Sequence, residues 1–280
     1  RRVLFRSAAP SLAATAEACG LTTAEVGAFF ALVQGHARTV TAFSQGVNQS
    51  SRGVDKANAI LNFHLATGRF GRPGAGPFSV TGQPNAMGGR EVGGLANQLA
   101  AHMDFAPDDV DRVGRFWDAP KMATAPGYKA VDLFAAAARG EIKALWVMAT
   151  NPAVSLPDAG LVSAALDACP FVVVSDCYGD SDTARYAEVL LPATGWSEKD
   201  GTVTESDRGI SRQRALRPPH GASMHDWAQL AAVGRALGYP HACDWPNAAA
   251  VFREHAALSG FENDGARLFD IAPLAGLSDD

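Results

Sequence analysis

Apolar residues recur at mixed three- and four-residue spacing from Ser11 to Gln34, interrupted at Gly20, and Thr22-Thr23-Ala24-Glu25 has the hydroxyl-to-carboxylate spacing of a helix start. Two helices broken near Gly20 are expected. A short strand, Thr39 to Phe43, comes next. The polar, glycine-bearing loop Ser44 to Gly53 then opens onto a helix from about Asp55 to Thr67, with Ala59, Ile60, Phe63 and His64 on one face. From Phe70 to Pro77 the density of Gly and Pro predicts a shaped loop with neither helix nor central strand. Thr81 to Gly94 reads as a second polar loop, long enough to imply a role of its own.

The middle of the chain has the clearest pattern. Lys129 to Ala138 predicts a helix closed by Gly140, Ala144 to Ala149 a fully apolar strand, Pro157 to Ala168 a helix, and Phe171 to Val174 a second apolar strand. A short helix around Thr183 to Tyr186 leads to a third strand at Val189-Leu190-Leu191. Strands apolar on both faces belong in a parallel sheet covered by helices on each side, so the expected class is α/β, doubly wound and mostly parallel. Trp196 to Arg217 shows neither period and reads as an extended excursion. A helix resumes at His225 with Trp227, Leu230, Ala231, Val233 and Leu237 on its apolar side and Gly238 at its end; the last 35 residues read as a peripheral helix and polar tail.

The net charge of −5 and the absence of any long Lys/Arg run argue against nucleic-acid binding, and no stretch approaches the roughly 20 apolar residues of a membrane span. Cys19, Cys169, Cys177 and Cys243 have no C-x-x-C spacing, so neither a zinc site nor an iron–sulfur cluster is expected here, and no metal ligand is assigned. The same sparse thiols suggest a reducing compartment, the cytoplasm. Arg1-Arg2-Val3-Leu4-Phe5-Arg6 superficially resembles a twin-arginine export signal, but Arg6 breaks the apolar run. With no initiator Met, the chain is expected to be an internal piece of a longer protein.

Ligands of open parallel sheets bind beyond the carboxyl ends of the strands. Thr150-Asn151-Pro152 follows the first strand of the central unit and Ser175-Asp176 the second, so Asn151 and Asp176 should share one rim. Either they contact a nucleotide-like ligand or they cap turns; spacing does not choose. Lys199 reads as a turn lysine and Asp226 as an N-cap of the late helix. Gln45 and Gln49 lie in a hydrophilic turn, and Arg90 has Glu91 or another carboxylate as an ordinary salt-bridge partner.

Five ordered motifs go further: Phe43-Ser44-Gln45-Gly46-Val47-Asn48-Gln49-Ser50-Ser51, Ala66-Thr67-Gly68-Arg69, Thr81-Gly82-Gln83-Pro84-Asn85-Ala86-Met87-Gly88-Gly89-Arg90-Glu91-Val92-Gly93-Gly94, Leu145-Trp146-Val147-Met148-Ala149-Thr150-Asn151-Pro152 and Trp196-Ser197-Glu198-Lys199-Asp200-Gly201. Together they resemble prokaryotic molybdopterin oxidoreductases, nearest the assimilatory nitrate reductase catalytic subunits, from about Ala13 to Gly238. The resemblance implies that Gln45, Gln49, Asn151, Ser175, Asp176, Lys199 and Asp226 contact a bis-molybdopterin guanine dinucleotide carrying molybdenum. It implies that Thr81, Gln83 and Arg90 line the substrate side, where a guanidinium suits an oxyanion. Thr81 stands where related formate dehydrogenases place an Arg.

The resemblance also implies a domain plan: residues 1–82 as the end of one α/β cofactor-binding domain, 83–195 as a second, 196–222 as an excursion, and 223–280 as helices returning to the second domain plus a polar tail. The family's cysteine-rich 4Fe-4S segment, its molybdenum-ligand stretch and its β-rich closing domain are not recognisable here. The expected parent enzyme reduces nitrate to nitrite by two-electron oxygen-atom transfer, fed by ferredoxin, flavodoxin or an NADH-linked reductase. A formate dehydrogenase or another molybdopterin reductase would share most of these motifs, and an inactive cofactor-binding fragment would share all of them.

Overall fold

A computed structural model describes residues 10–278, so the reading of Arg1 to Arg6 lies outside the described residues. The chain divides into two compact units, one ending at Gln83 and the other beginning at Pro84.

In the first unit, helices α1 (Leu12–Cys19) and α2 (Thr23–Gly35) form as the spacing predicts. Ser11 caps α1 and left-handed Gly20 ends it, while Thr22 and Glu25 exchange the reciprocal bonds of a capping box. Strand β1 (Val40–Phe43) leads through the single helical turn α3 (Gln45–Asn48) and helix α4 (Gly53–Ala66) to β2 (Gly76–Ser79), which pairs with β1 in parallel, Val40 opposite Gly76 and Phe43 opposite Ser79. The polar loop after β1 therefore contains a helical turn, and the Gly/Pro-rich loop ends sooner than expected, because its last residues enter a strand. Both strands of a two-stranded sheet are edges, where the missing N–H of Pro77 is tolerated. On α4 the buried side is centred on His64, half-buried Ile60 and Phe63 beside it, while Ala59 faces out.

The second unit opens with α5 (Ala86–Glu91), a helical turn inside the expected polar loop, and α6 (Pro107–Phe116), a helix that the pattern did not announce. Helix α7 (Ala130–Ala138) precedes strand β3 (Leu145–Met148), the turn α8 (Pro152–Ser155), helix α9 (Ala159–Ala168) and strand β4 (Val172–Asp176). A 3-10 turn at Ala184–Tyr186 leads to strand β5 (Val189–Pro192). The three strands are parallel in the order β3-β4-β5, as the apolar runs require. Val172 and Val174 of β4 meet Leu145 and Val147 of β3, Phe134 and Ala137 of α7, and Val162 and Leu166 of α9 in one core. Each buried valine contributes about 1.5–3 kcal/mol of transfer free energy.

The pleat turns alternate residues to the other face, where the Ser175 hydroxyl accepts from Trp146 Nε1 at 2.8 Å and donates to Gln229 Oε1 at 2.6 Å. Gln229 belongs to α10 (Asp226–Ala236), so helices cover both faces of this α/β sheet. The buried residues of α10 are Gln229 and Ala231; Leu230, Val233 and Leu237, expected on its apolar side, are exposed. The excursion proves to be an antiparallel hairpin, β6 (Gly201–Thr204) with β7 (Ile210–Gln213), preceded by a 3-10 turn at Trp196–Glu198. Helix α11 (Ala248–Gly260) is not peripheral either. Its Leu258 joins Phe269, Met103 and Val113 in a second core.

Candidate functional site

At the carboxyl end of the first sheet, Gln45 starts α3 directly beyond β1, and Gln49 closes that turn. Thr81 and Gln83 follow β2, and the Thr81 hydroxyl donates to Gln83 Oε1 at 2.8 Å. Since β1 and β2 run side by side, Gln45, Gln49, Thr81 and Gln83 flank neighbouring strand ends. Two bonds hold the ends together: Val80 N–H to the Phe43 carbonyl at 2.7 Å and Asn48 Nδ2 to Ser79 Oγ at 3.3 Å. Gly53 lets the α3 turn sit against the start of α4, because a Cβ there would lie 2.4 Å from the Asn48 carbonyl oxygen.

The second unit repeats the arrangement. The register Met148 opposite Ser175 puts the ends of β3 and β4 next to each other, so Asn151 and Asp176 sit at adjacent strand ends, as the spacing implied. Ala149, between β3 and Asn151, takes a left-handed conformation (φ 55°), a cost of about 1–3 kcal/mol for a residue with a Cβ. Asn151 Oδ1 accepts from both Thr183 N–H, at 3.2 Å, and Thr183 Oγ1, at 2.6 Å. Asp176 Oδ1 accepts from Tyr178 N–H and Oδ2 from Ser181 Oγ, each at 3.0 Å. Both side chains therefore shape the loops beyond their strands. Ser175 does not join them: its hydroxyl is turned into the α10 packing, 1% exposed, because it lies one pleat away from Asp176.

Beyond β5 the chain returns along the same edge. Thr194 Oγ1 and His225 Nδ1 are 3.1 Å apart, and Lys199 Nζ donates to Asp226 Oδ2 at 2.5 Å. Asp226 is the first residue of α10 rather than its cap, a position occupied by His225. The pairing also shows that Lys199 is no free turn lysine. Asp226 Oδ1, Trp227 Nε1 and Ser223 Oγ are buried without a partner, three polar atoms within five residues at the start of α10. Nothing in their spacing signalled this, nor that Thr183, fully buried, ties the β3 and β4 loops together.

Arg90, in the last turn of α5, is exposed and makes no ion pair with any described residue, so the Glu91 partnership is not formed; Glu91 itself is buried. Asn85, just before α5, accepts from Thr204 N–H at 2.9 Å and anchors that turn on β6. Thr81 and Gln83 belong to the first unit, Arg90 to the second.

In this setting of strand-end rims, comparison with known proteins finds one family model, that of the molybdopterin oxidoreductases, matching residues 19–236. Among curated relatives, a nitrate reductase of Klebsiella oxytoca is 56% identical over 94% of this chain and 30% of its own length. A nitrate reductase of Shewanella frigidimarina is 46% identical over 96% of this chain and 29% of its own. The chain thus spans about 30% of the length of these relatives. Among solved structures, an acetylene hydratase from Pelobacter acetylenicus overlaps 65% of this chain and 24% of its own, with 14% identity and a TM-score of 0.40, too slight a likeness to bear on function.

Proposed function

Because the chain belongs to the molybdopterin oxidoreductase family, we propose that it is the part of a nitrate reductase catalytic subunit that binds the guanine dinucleotide arms of a bis-molybdopterin guanine dinucleotide. One observation carries the reading: Asn151 and Asp176 stand at adjacent carboxyl ends of a parallel sheet, where nucleotides bind in open α/β folds.

The donor and acceptor chemistry of the rim fits such a group. Asp226 keeps one buried oxygen without a partner beside Lys199, an acceptor suited to the N–H groups of a guanine edge. A carboxylate offers about four lone-pair sites, so Asp176 retains acceptor capacity beyond its two internal bonds. Asn151 spends only its oxygen on Thr183, leaving its amide N–H groups to donate to ribose or phosphate. In the first unit Gln45 and Gln49 offer the same amide chemistry.

When bound, the molybdenum cofactor supplies the two-electron redox chemistry by which nitrate becomes nitrite. The chain's contribution is orientation and charge. In the second unit the guanidinium of Arg90, without an ion-pair partner among the described residues, attracts and orients the nitrate anion. In the first unit Thr81 and Gln83 offer neutral hydrogen-bonding groups. In this reading a 4Fe-4S centre outside the chain delivers electrons from ferredoxin, flavodoxin or an NADH-linked reductase. The test is an assay of the full-length parent enzyme with reduced viologen and nitrate, alongside formate with an oxidised acceptor. Nitrate reduction without formate oxidation is expected; formate oxidation without nitrate reduction overturns the reading.

A further inference from the structure

Away from the strand-end rim, a cavity of about 310 Å³ lies between the β6–β7 hairpin and α11. Its apolar wall is Ile210 of β7, Phe252 of α11, and Leu274 and Leu277 of the closing segment. Three guanidinium groups, Arg212, Arg214 and Arg253, line it against one carboxylate, Asp200. Arg212 grips Asp200 through two bonds, Nε to Oδ1 at 3.0 Å and Nη2 to Oδ2 at 2.9 Å, which holds that carboxyl below its usual range. Arg253 Nη1 donates to the Leu277 carbonyl at 3.3 Å. Arg214 is exposed and donates to no described residue, though its charge acts on Asp200 and helps to lower that carboxyl; three guanidinium groups against one carboxylate leave the lining with a positive excess.

We propose that this cavity binds a small amphiphilic anion: a compact aromatic or aliphatic body bearing one phosphate, sulfonate or carboxylate. The apolar wall takes the body and Arg214 the anionic head, in a charge-assisted bond. The volume lies at the lower end of the roughly 300–1,000 Å³ of ligand pockets, which admits a single ring system and excludes a dinucleotide. The cavity is separate from the rim. Lys199 is extended, so it and Asp200 point to opposite sides of the chain, Lys199 to Asp226 and Asp200 to the cavity.

Isothermal titration of the 280-residue chain with 1-naphthyl phosphate, and with inorganic phosphate as the head group alone, tests this. Saturable binding at one site is expected, at least about tenfold tighter than inorganic phosphate, with Arg214→Gln weakening it about tenfold. Ala249→Trp, which fills the cavity from α11, should abolish binding while far-ultraviolet circular dichroism stays unchanged. The proposal is overturned if 1-naphthyl phosphate does not bind, if inorganic phosphate binds as tightly, or if Arg214→Gln leaves the affinity unchanged.

Discussion

Lys199 and Asp226, 27 residues apart in sequence, meet through a 2.5 Å bond at the first turn of α10. The pair is about one-third exposed, so it adds little to stability. It uses one oxygen of Asp226 and leaves the other buried and without a hydrogen-bond partner. That second oxygen is the acceptor proposed for the guanine N–H groups.

The first prediction follows from that unpartnered oxygen. Asp226→Asn removes the negative charge and one acceptor while keeping the shape, so guanosine diphosphate should bind the chain about tenfold more weakly, the effect of about 1.4 kcal/mol. Titration calorimetry measures it. Equal affinity in the two proteins would remove Asp226 from the nucleotide site.

Gly53→Ala should destabilise the first unit. The added Cβ would press within 2.4 Å and 2.9 Å of the Asn48 and Val47 carbonyl oxygens, backbone atoms that cannot swing aside. The displacement of α3 is expected to cost on the order of 1–3 kcal/mol. A lower urea midpoint, with Gln45 and Gln49 amides exchanging faster, would bear this out; an unchanged midpoint would not.

A third expectation concerns pH. His64 is fully buried, its Nε2 bound to Thr41 Oγ1 at 2.8 Å and its Nδ1 without a partner. Burial, and then the Arg69 guanidinium, lower its pKa from the ordinary imidazole value. Because the folded pKa is the depressed one, stability is full above about pH 6.5, the unfolded value, and falls as the pH drops from there towards the folded pKa. His255 is lowered in the same direction by burial and by His102, and adds to the effect. Urea midpoints should therefore decline as the pH falls below about 6.5, and His64→Gln should flatten the part belonging to the first unit. A midpoint that rises on acidification would contradict the assignment.

The parallel core was legible because its signal is local. The apolar runs at Leu145 and Val172 and the stop at Gly140 define α7, β3 and β4 without reference to distant residues. Helix α6 escaped notice because only Val110, Val113 and Phe116 break a charged sequence, and Val113 is buried by Leu258 and Phe269, far along the chain. Each strand of the β6–β7 hairpin has a single apolar residue, Val203 and Ile210, so no alternation betrays it. On α10 the apolar stripe was misleading. Gln229 is the buried residue, since its amide bonds Ser175 Oγ and the Pro192 carbonyl, while Leu230 stays outside. The rim pair Asn151 and Asp176 followed from a general rule of parallel sheets. The inward turn of Ser175 follows from the same pleat, given that Val174 and Asp176 flank it. The Lys199–Asp226 bond has no counterpart in local spacing, because the hairpin intervenes.

One paired measurement separates the roles proposed for Asp176, holding the cofactor, and for Arg90, handling the anion: molybdenum and released guanine nucleotide per protein, beside nitrate-reduction kinetics, in the full-length enzyme and its Asp176→Ala and Arg90→Ala variants. Removing the Asp176 carboxylate leaves donors unpaired at about 1–3 kcal/mol, so that variant should lose molybdenum and guanine together. Arg90→Ala should keep both while kcat/KM for nitrate falls about tenfold. If Arg90→Ala instead loses the cofactor, and Asp176→Ala retains it with unchanged kinetics, the strand-end rim of the second unit is not the nucleotide site.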